Sequence, residues 1–169
     1  LSQTVNDNTG GKISIKSFLY LGLASILLIS PRRYGTVAKK LFWALQKPWR
    51  KAIFLDLILV EYFLGLLKIK KPEFSTLFLN AGAHIQHHYM LSSSIIDDTK
   101  FRNPTWYVKE GADPLLEVYQ QYDEILGRLI NLPNTSYIIA TGLSQKPVSK
   151  PVFYYRLSNH ATFLDKMGI

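Results

Sequence analysis

Three of the chain's four histidines lie within five positions of one another, at His84, His87 and His88. Their spacings of three and four residues would place the rings on one face of a helix, and neutral imidazole is a common ligand for zinc and similar ions. Asn80 stands four residues before His84 and could add an amide oxygen. The segment therefore indicates a site for zinc or manganese, or alternatively histidines that stack, cap or bind substrate hydroxyls.

The elements on either side of the histidines predict an α/β fold. Residues 75–80 are typical of a buried strand that ends in a small turn at residues 81–83, and residues 136–141 are typical of a second strand ending at Gly142. Asp113 and Pro114 mark the start of a helix over residues 114–130 between them. A strand, helix, strand order predicts a right-handed parallel unit, and two wholly apolar strands predict a sheet covered on both faces.

The carboxyl ends of parallel strands lie at one edge of a sheet, where ligands bind. On that argument the histidine segment shares an edge with the residues that follow the second strand. The predicted substrate contacts are His88, Thr141, Ser144 and Gln145.

Residues 1–70 are predicted to form a helical cap or insertion, and residues 71–169 the α/β portion. The helices are expected over residues 13–29, 36–46 and 49–68, with a short strand at 152–157 and a last helix at 161–166. Asp56 and Glu61 interrupt the third helix, and a capping pair or a solvated edge is a better interpretation than a catalytic role. The first 70 residues carry more apolar surface than a small core can cover, which predicts a homo-oligomer or a missing remainder of a longer chain.

Composition narrows the classes of function. The net charge of +8 is consistent with an anionic substrate or, alternatively, with a contribution to solubility alone. The absence of cysteine excludes disulfides and thiolate metal ligands. Residues 18–29 are shorter than the ~20 apolar residues that span a bilayer, so no membrane span is predicted. No signal-peptide pattern opens the chain, and its localisation is left open. Phosphate-binding glycine loops are absent, and the basic and aromatic residues at 102–109 are too sparse to favour a nucleic-acid partner.

Beyond these patterns, the second half of the chain resembles the later part of an alkaline phosphatase superfamily domain, in its type I phosphodiesterase and nucleotide pyrophosphatase branch. In that branch a strand ends in a metal-binding Asp, and a metal-binding His follows after three intervening residues. Here Asn80 and His84 keep that spacing, with Asn in place of Asp. The helix pattern of the branch is matched by Tyr122, Asp123 and the Leu126-Gly127 pair. The resemblance begins near Lys71, and the family's nucleophile segment has no match.

The resemblance implies a metal-dependent hydrolase acting on phosphate or sulfate esters, with Asn80, His84 and the later His160 at its metal-ligand positions. The histidine spacing adds His87 as a fourth predicted ligand. The family's Ser-Asp-His-Gly run corresponds here to residues 140–143, Ala-Thr-Gly-Leu, which contain neither Asp nor His. That departure favours an alternative, a non-catalytic relative that binds an anionic or polar ligand. A basic nucleic-acid-binding domain is a third, weaker interpretation.

Overall fold

A computed structural model describes residues 15–96, 101–142, 144–147 and 159–168. Over these ranges the chain forms helices joined by 3₁₀ turns and irregular segments. The helices are α1 (Ile15–Leu28), α2 (Tyr34–Leu45), α3 (Arg50–Lys70), α4 (Ala81–Tyr89), α5 (Pro114–Ile130) and α6 (His160–Lys166), with 3₁₀ turns at Pro31–Arg33 and Met90–Ser92.

The predicted α/β sheet is wrong for the part of the chain that the structure describes, which contains no strand. Residues 75–80 and 136–141 are irregular, and many of their apolar side chains are exposed to solvent, with Phe78 77% and Ile138 95% exposed. A strand needs a neighbouring strand to satisfy its backbone groups, and here helices occupy the interior against which a sheet would pack. The strand predicted at 152–157 lies outside the described residues.

Helix α3 is the central element, and every other core helix is arranged around it. Its buried residues recur along the helix from Ile53 to Tyr62 and include two carboxylates, Asp56 and Glu61. Helices α1, α2, α4 and α5 all pack against α3. A helix that is apolar on several sides requires such surroundings, because each apolar face must be covered.

The core joins residues from both halves of the chain. Trp49 and Ile53 from the α3 region pack in one cluster with Ile85 of α4 and with Leu115 and Val118 of α5. Residues on both sides of the predicted division at residue 70 therefore share one core. The division into two segments stays a prediction. Helix α5 begins where the sequence predicted, with Asp113 accepting a hydrogen bond from the Leu116 N–H (2.9 Å) and Pro114 in the first turn.

Glu61 holds two distant parts of the chain to α3. It is 3% exposed and accepts hydrogen bonds from Arg33 at 3.2 and 3.0 Å and from Arg128 at 2.7 and 3.0 Å. A buried carboxylate needs such partners, because its desolvation is costly when it is unpaired. Glu61 is therefore a structural anchor between the turn before α2 and the end of α5, and it is buried rather than at the solvated edge that was one interpretation of the sequence.

Among the described residues, no single helix is both long enough and apolar enough to cross a membrane.

The contact between α1 and α3 depends on a glycine. A Cβ atom built on Gly65 would lie 2.1 Å from the carbonyl oxygen of Leu28, and the backbone of α1 cannot yield as a flexible side chain could. Nearby, the Ser25 hydroxyl lies 2.7 Å from the Tyr62 hydroxyl, which also donates to the Leu21 carbonyl. The absence of a side chain at Gly65 thus lets α1 approach α3 closely.

We predict that Gly65→Ala displaces α1. Overpacking should cost roughly 1–3 kcal/mol, against a gain of about 1 kcal/mol in helix propensity. Thermal unfolding and the hydrogen-exchange protection of α1 amides measure the effect. Gly22→Ala, in α1 itself, is the matched control, because nothing lies within 4 Å of its added Cβ. Equal protection of α1 in both variants would contradict the prediction.

Candidate functional site

The three clustered histidines lie on the outward side of α4. Its inner side carries Ala81, Gly82, Ile85 and Tyr89, all buried, and the exposed residues between them include His84, His87 and His88. Residues 84 and 88 are four positions apart, so these two histidines fall together on the exposed part of the helix surface. We call the exposed set His84, His87 and His88 the histidine face. The predicted turn at residues 81–83 is instead the first turn of this helix.

His84 and His88 form a pair of neighbouring rings, whose centroids are 4.7 Å apart at an angle of 54°. Partial burial lowers the pKa of His84, and the charges of His88 and His87 lower it further. Two positive charges this close repel each other, so the pair favours the state in which at least one ring is neutral. A negative charge beside the rings would offset that repulsion.

His87 points to a different neighbour. Its Nε2 lies 3.1 Å from Nε2 of Gln145, so residue 145 reaches the histidine face although no strand precedes it. Thr141 and Ser144 are exposed, and no hydrogen bond among the described residues joins them to α4. His160 lies on α6, where every described residue is exposed, and it makes no contact with the histidine face in the described structure.

The predicted metal site is wrong for the described residues, which contain no group of three or more His, Asp or Glu side chains able to hold a metal ion. The rings of His84 and His88 face one another, His87 is directed to Gln145, and His160 is elsewhere. Asn80 stands at the N-cap of α4, and its backbone N–H donates to Asp56 at 3.3 Å. The spacing of the histidines correctly predicted that they share one face of a helix. It did not bring three ligands together around one metal position.

The histidine face is positioned by a carboxylate from another helix. Asp56 of α3, 6% exposed, accepts a hydrogen bond from the Ala81 N–H at 2.8 Å and one from the Tyr122 hydroxyl at 2.6 Å. The first N–H groups of a helix lack partners within it, and a negative charge there is favourable. Asp56 therefore caps α4 from a neighbouring helix. The side chain of Asn80, the N-cap residue of α4, makes no capping hydrogen bond.

Tyr122 of α5 completes this junction. Its hydroxyl accepts a hydrogen bond from the Gly82 N–H at 2.8 Å while donating to Asp56. Burial raises the pKa of Tyr122, and the hydrogen bond to Asp56 raises it further. A Cβ on Gly82 would lie 2.9 Å from the tyrosine ring, which explains a glycine at this helical position. The helix bearing the histidines is thus attached to both α3 and α5.

The loop after α4 supports the far end of the histidine face. The rings of Tyr89 and Tyr107 stack at 5.3 Å and 16°, and the amide of Asn103 donates to the His88 carbonyl at 3.3 Å. Burial raises the pKa of Tyr89 to about 12, with further contributions from Tyr107. Trp106, 84% exposed, lies against Tyr107 with the ring centroids 5.8 Å apart.

A second polar surface lies between α2 and α5. It is an open cavity of about 350 Å³ lined by Lys40, Trp43, Glu117, Gln120, Gln121 and Glu124. Its charged groups are already paired: Lys40 contacts Gln121 at 2.7 Å and Glu124 at 3.0 Å, while Glu117 binds Arg50. Such internal pairing favours a structural role in joining α2 and α3 to α5.

Sequence reasoning missed Asp56 and Tyr122 as positioning residues. The sequence analysis interpreted Asp56 as part of a capping pair or a solvated edge. Its position within an apolar helix is the signal that could have indicated a buried carboxylate in need of partners. Nothing in the sequence indicated which N–H groups it binds, because the contact spans 25 residues.

Comparisons with protein-family models, curated proteins and solved structures found no match to this chain. The resemblance to the alkaline phosphatase superfamily therefore stays a prediction that rests on the residues quoted for it.

We predict that Asp56→Ala destabilises α4 more than any surface change does. It leaves the Ala81 N–H and the Tyr122 hydroxyl without their acceptor, at about 1–3 kcal/mol for each buried group. Urea unfolding gives the global loss, and hydrogen exchange at residues 81–84 gives the local one. In a double-mutant cycle with Tyr122→Phe the losses should be less than additive. Asp123→Asn, an exposed carboxylate on α5, is the control; a loss as large in that variant would contradict the assignment.

Proposed function

We propose that the histidine face binds a small anionic ligand of the phosphate or sulfate ester class, without catalysing its hydrolysis. The observation that carries the proposal is the pair His84 and His88, whose rings lie 4.7 Å apart on the exposed side of α4. Within the part of the chain that the structure describes, no carboxylate forms a salt bridge with either ring. Imidazole N–H groups donate hydrogen bonds to an anion, and a protonated ring adds charge.

Binding is favoured over catalysis by what surrounds the pair. Metal-dependent ester hydrolysis requires ligands that fix an ion and activate a nucleophile. The described residues supply no such ligand group, and the histidine face is an open helix surface rather than a closed pocket. The alternative drawn from the sequence, a non-catalytic binder, therefore has the better support.

Gln145 extends the proposed site beyond the pair. Its amide holds the His87 ring at 3.1 Å, and an amide can donate to a ligand oxygen as well as to an imidazole nitrogen. The net charge of +8 adds a long-range attraction for anions, which falls as the ionic strength rises.

The pH dependence of binding follows from the His84 pKa. Because burial and the neighbouring rings lower that pKa, the ring is neutral near neutral pH and gains its proton in more acidic solution. An anion that binds the protonated ring more tightly must raise its pKa by linkage. Affinity should therefore increase as the pH falls below the reference histidine value of about 6.5, because the pKa of His84 is lowered from that value.

We predict that sulfate raises the pKa of His84, measured from imidazole proton shifts by NMR between about pH 8 and about pH 5. Sulfate does not itself titrate in this range, and sodium chloride at equal ionic strength is the reference. A rise of about one unit corresponds to about tenfold tighter binding to the protonated ring. His160, exposed on α6, is the internal control and should not respond.

Equal shifts at His160, or none at His84, would overturn the proposed function. A second measurement separates binding from catalysis. Phenyl phosphate should bind by calorimetry, lose affinity in His84→Gln and in His88→Gln, and remain intact by phosphorus NMR. Circular dichroism checks that both variants fold. Release of inorganic phosphate that depends on His84 would contradict the non-catalytic assignment.

A further inference from the structure

Helix α1 exposes nearly all of its apolar side chains. The structure leaves Ile15, Phe18, Leu19, Tyr20, Leu23, Ile26 and Leu27 between 54% and 81% exposed, and no residue of the helix is buried. A helix that is apolar on all sides belongs either in a protein core or in lipid. Among the described residues, α1 is covered mainly along the side that faces α3.

That side is narrow and well fitted. It carries Ser25, bonded to Tyr62, and Leu28, whose backbone lies against Gly65. The opposite apolar side is thus presented in a fixed direction, because the close approach at Gly65 holds the helix in place.

The neighbouring helix continues the apolar surface. On α2, Phe42 is 69% and Leu45 61% exposed, and the Tyr34 hydroxyl bonds the Ile26 carbonyl at 3.0 Å across the corner between α1 and α2. Together, α1 and the segment from Pro31 to Leu45 have the length and composition of a broken span, but they bend by 111°. We call the exposed apolar residues of α1 and α2 the apolar corner.

Charge is distributed unevenly along the chain, and the apolar corner lies in its basic part. Residues 15–71 contain eleven lysines and arginines and two carboxylates, Asp56 and Glu61. Both carboxylates are buried, so the exposed charges of this part are all positive. Lys16 in the first turn of α1 and Arg32 just after its end are exposed and flank the apolar stretch.

From this combination we propose that the apolar corner docks on the surface of a bilayer that contains anionic lipids. Helix α1 lies in the interface with its apolar side among the acyl chains, while Lys16, Arg32 and Lys39 contact the lipid headgroups. Apolar area gives the insertion, and basic residues at its border give the attraction to anionic lipid. The bend between α1 and α2 keeps both helices at the surface rather than across the bilayer.

Two other occupants fit the surface less well. A second copy of the chain would place the same basic borders opposite each other, and like charges in an interface are repulsive. A nucleic acid would bind the basic residues but would leave the apolar side chains in water, since its backbone offers no apolar cover. A lipid surface satisfies both features at once.

The test uses the absence of cysteine in the chain. Leu23→Cys carries a single environment-sensitive fluorophore on the apolar corner, and Ile138→Cys carries it on an apolar residue that is 95% exposed elsewhere. With vesicles of phosphatidylcholine and phosphatidylglycerol, we expect a blue shift and quenching by nitroxide-labelled lipid at position 23 but not at position 138. Sedimentation with the same vesicles measures the fraction bound.

Substitutions separate the apolar contribution to membrane binding from the electrostatic one. Leu23→Asn with Ile26→Asn should lower vesicle partitioning about tenfold or more, because it removes inserted apolar area. Arg32→Gln and Lys39→Gln should each lower binding to anionic vesicles about fivefold and should have little effect on neutral ones. The proposal is overturned by a probe at position 23 that stays in water, or by partitioning unchanged in the asparagine variant. Dimers in vesicle-free solution that dissociate on Leu23→Asn, or binding to nucleic acid in place of vesicles, would equally reject it.

Discussion

The structure depends on the buried carboxylate of Asp56. One side chain from α3 receives the first N–H groups of α4 and the hydroxyl of a tyrosine on α5, so three helices meet at a single pair of oxygen atoms. A short helix such as α4 is marginal by itself, since the cost of its first turn is spread over few residues. The cap supplied by α3 offsets that cost and fixes the direction in which the histidines face.

This arrangement separates the chain's two exposed chemical surfaces. The histidine face belongs to α4 and depends on Asp56, whereas the apolar corner belongs to α1 and α2 and depends on Gly65. Both residues belong to α3, where they are nine positions apart in one continuous helix. A change at either contact should therefore leave the other surface largely in place, because α3 continues to be packed on its remaining sides.

Local signals predicted the helices well and the sheet badly. The N-cap Asp113 with Pro114 identified the start of α5, because capping chemistry acts within a few residues and can be read directly. The apolar residues at 75–80 and 136–141 gave a strand pattern, but pairing depends on distant partners that a single sequence does not reveal. For the same reason the helical spacing of His84 and His88 was readable, while the failure to gather a metal site was not. Gln145 was expected near the histidines at a shared sheet edge, and it lies near His87 without a sheet.

The Glu61 cluster has an evolutionary consequence, because one carboxylate there serves two guanidinium groups. Loss of Arg33 or of Arg128 would leave Glu61 paired with the other arginine, and such an intermediate can be tolerated during evolution. Loss of Glu61 would leave two partly buried guanidinium groups close together without the acceptor that they share. In a lineage that abandons this cluster, replacing an arginine before the glutamate is therefore the less costly order.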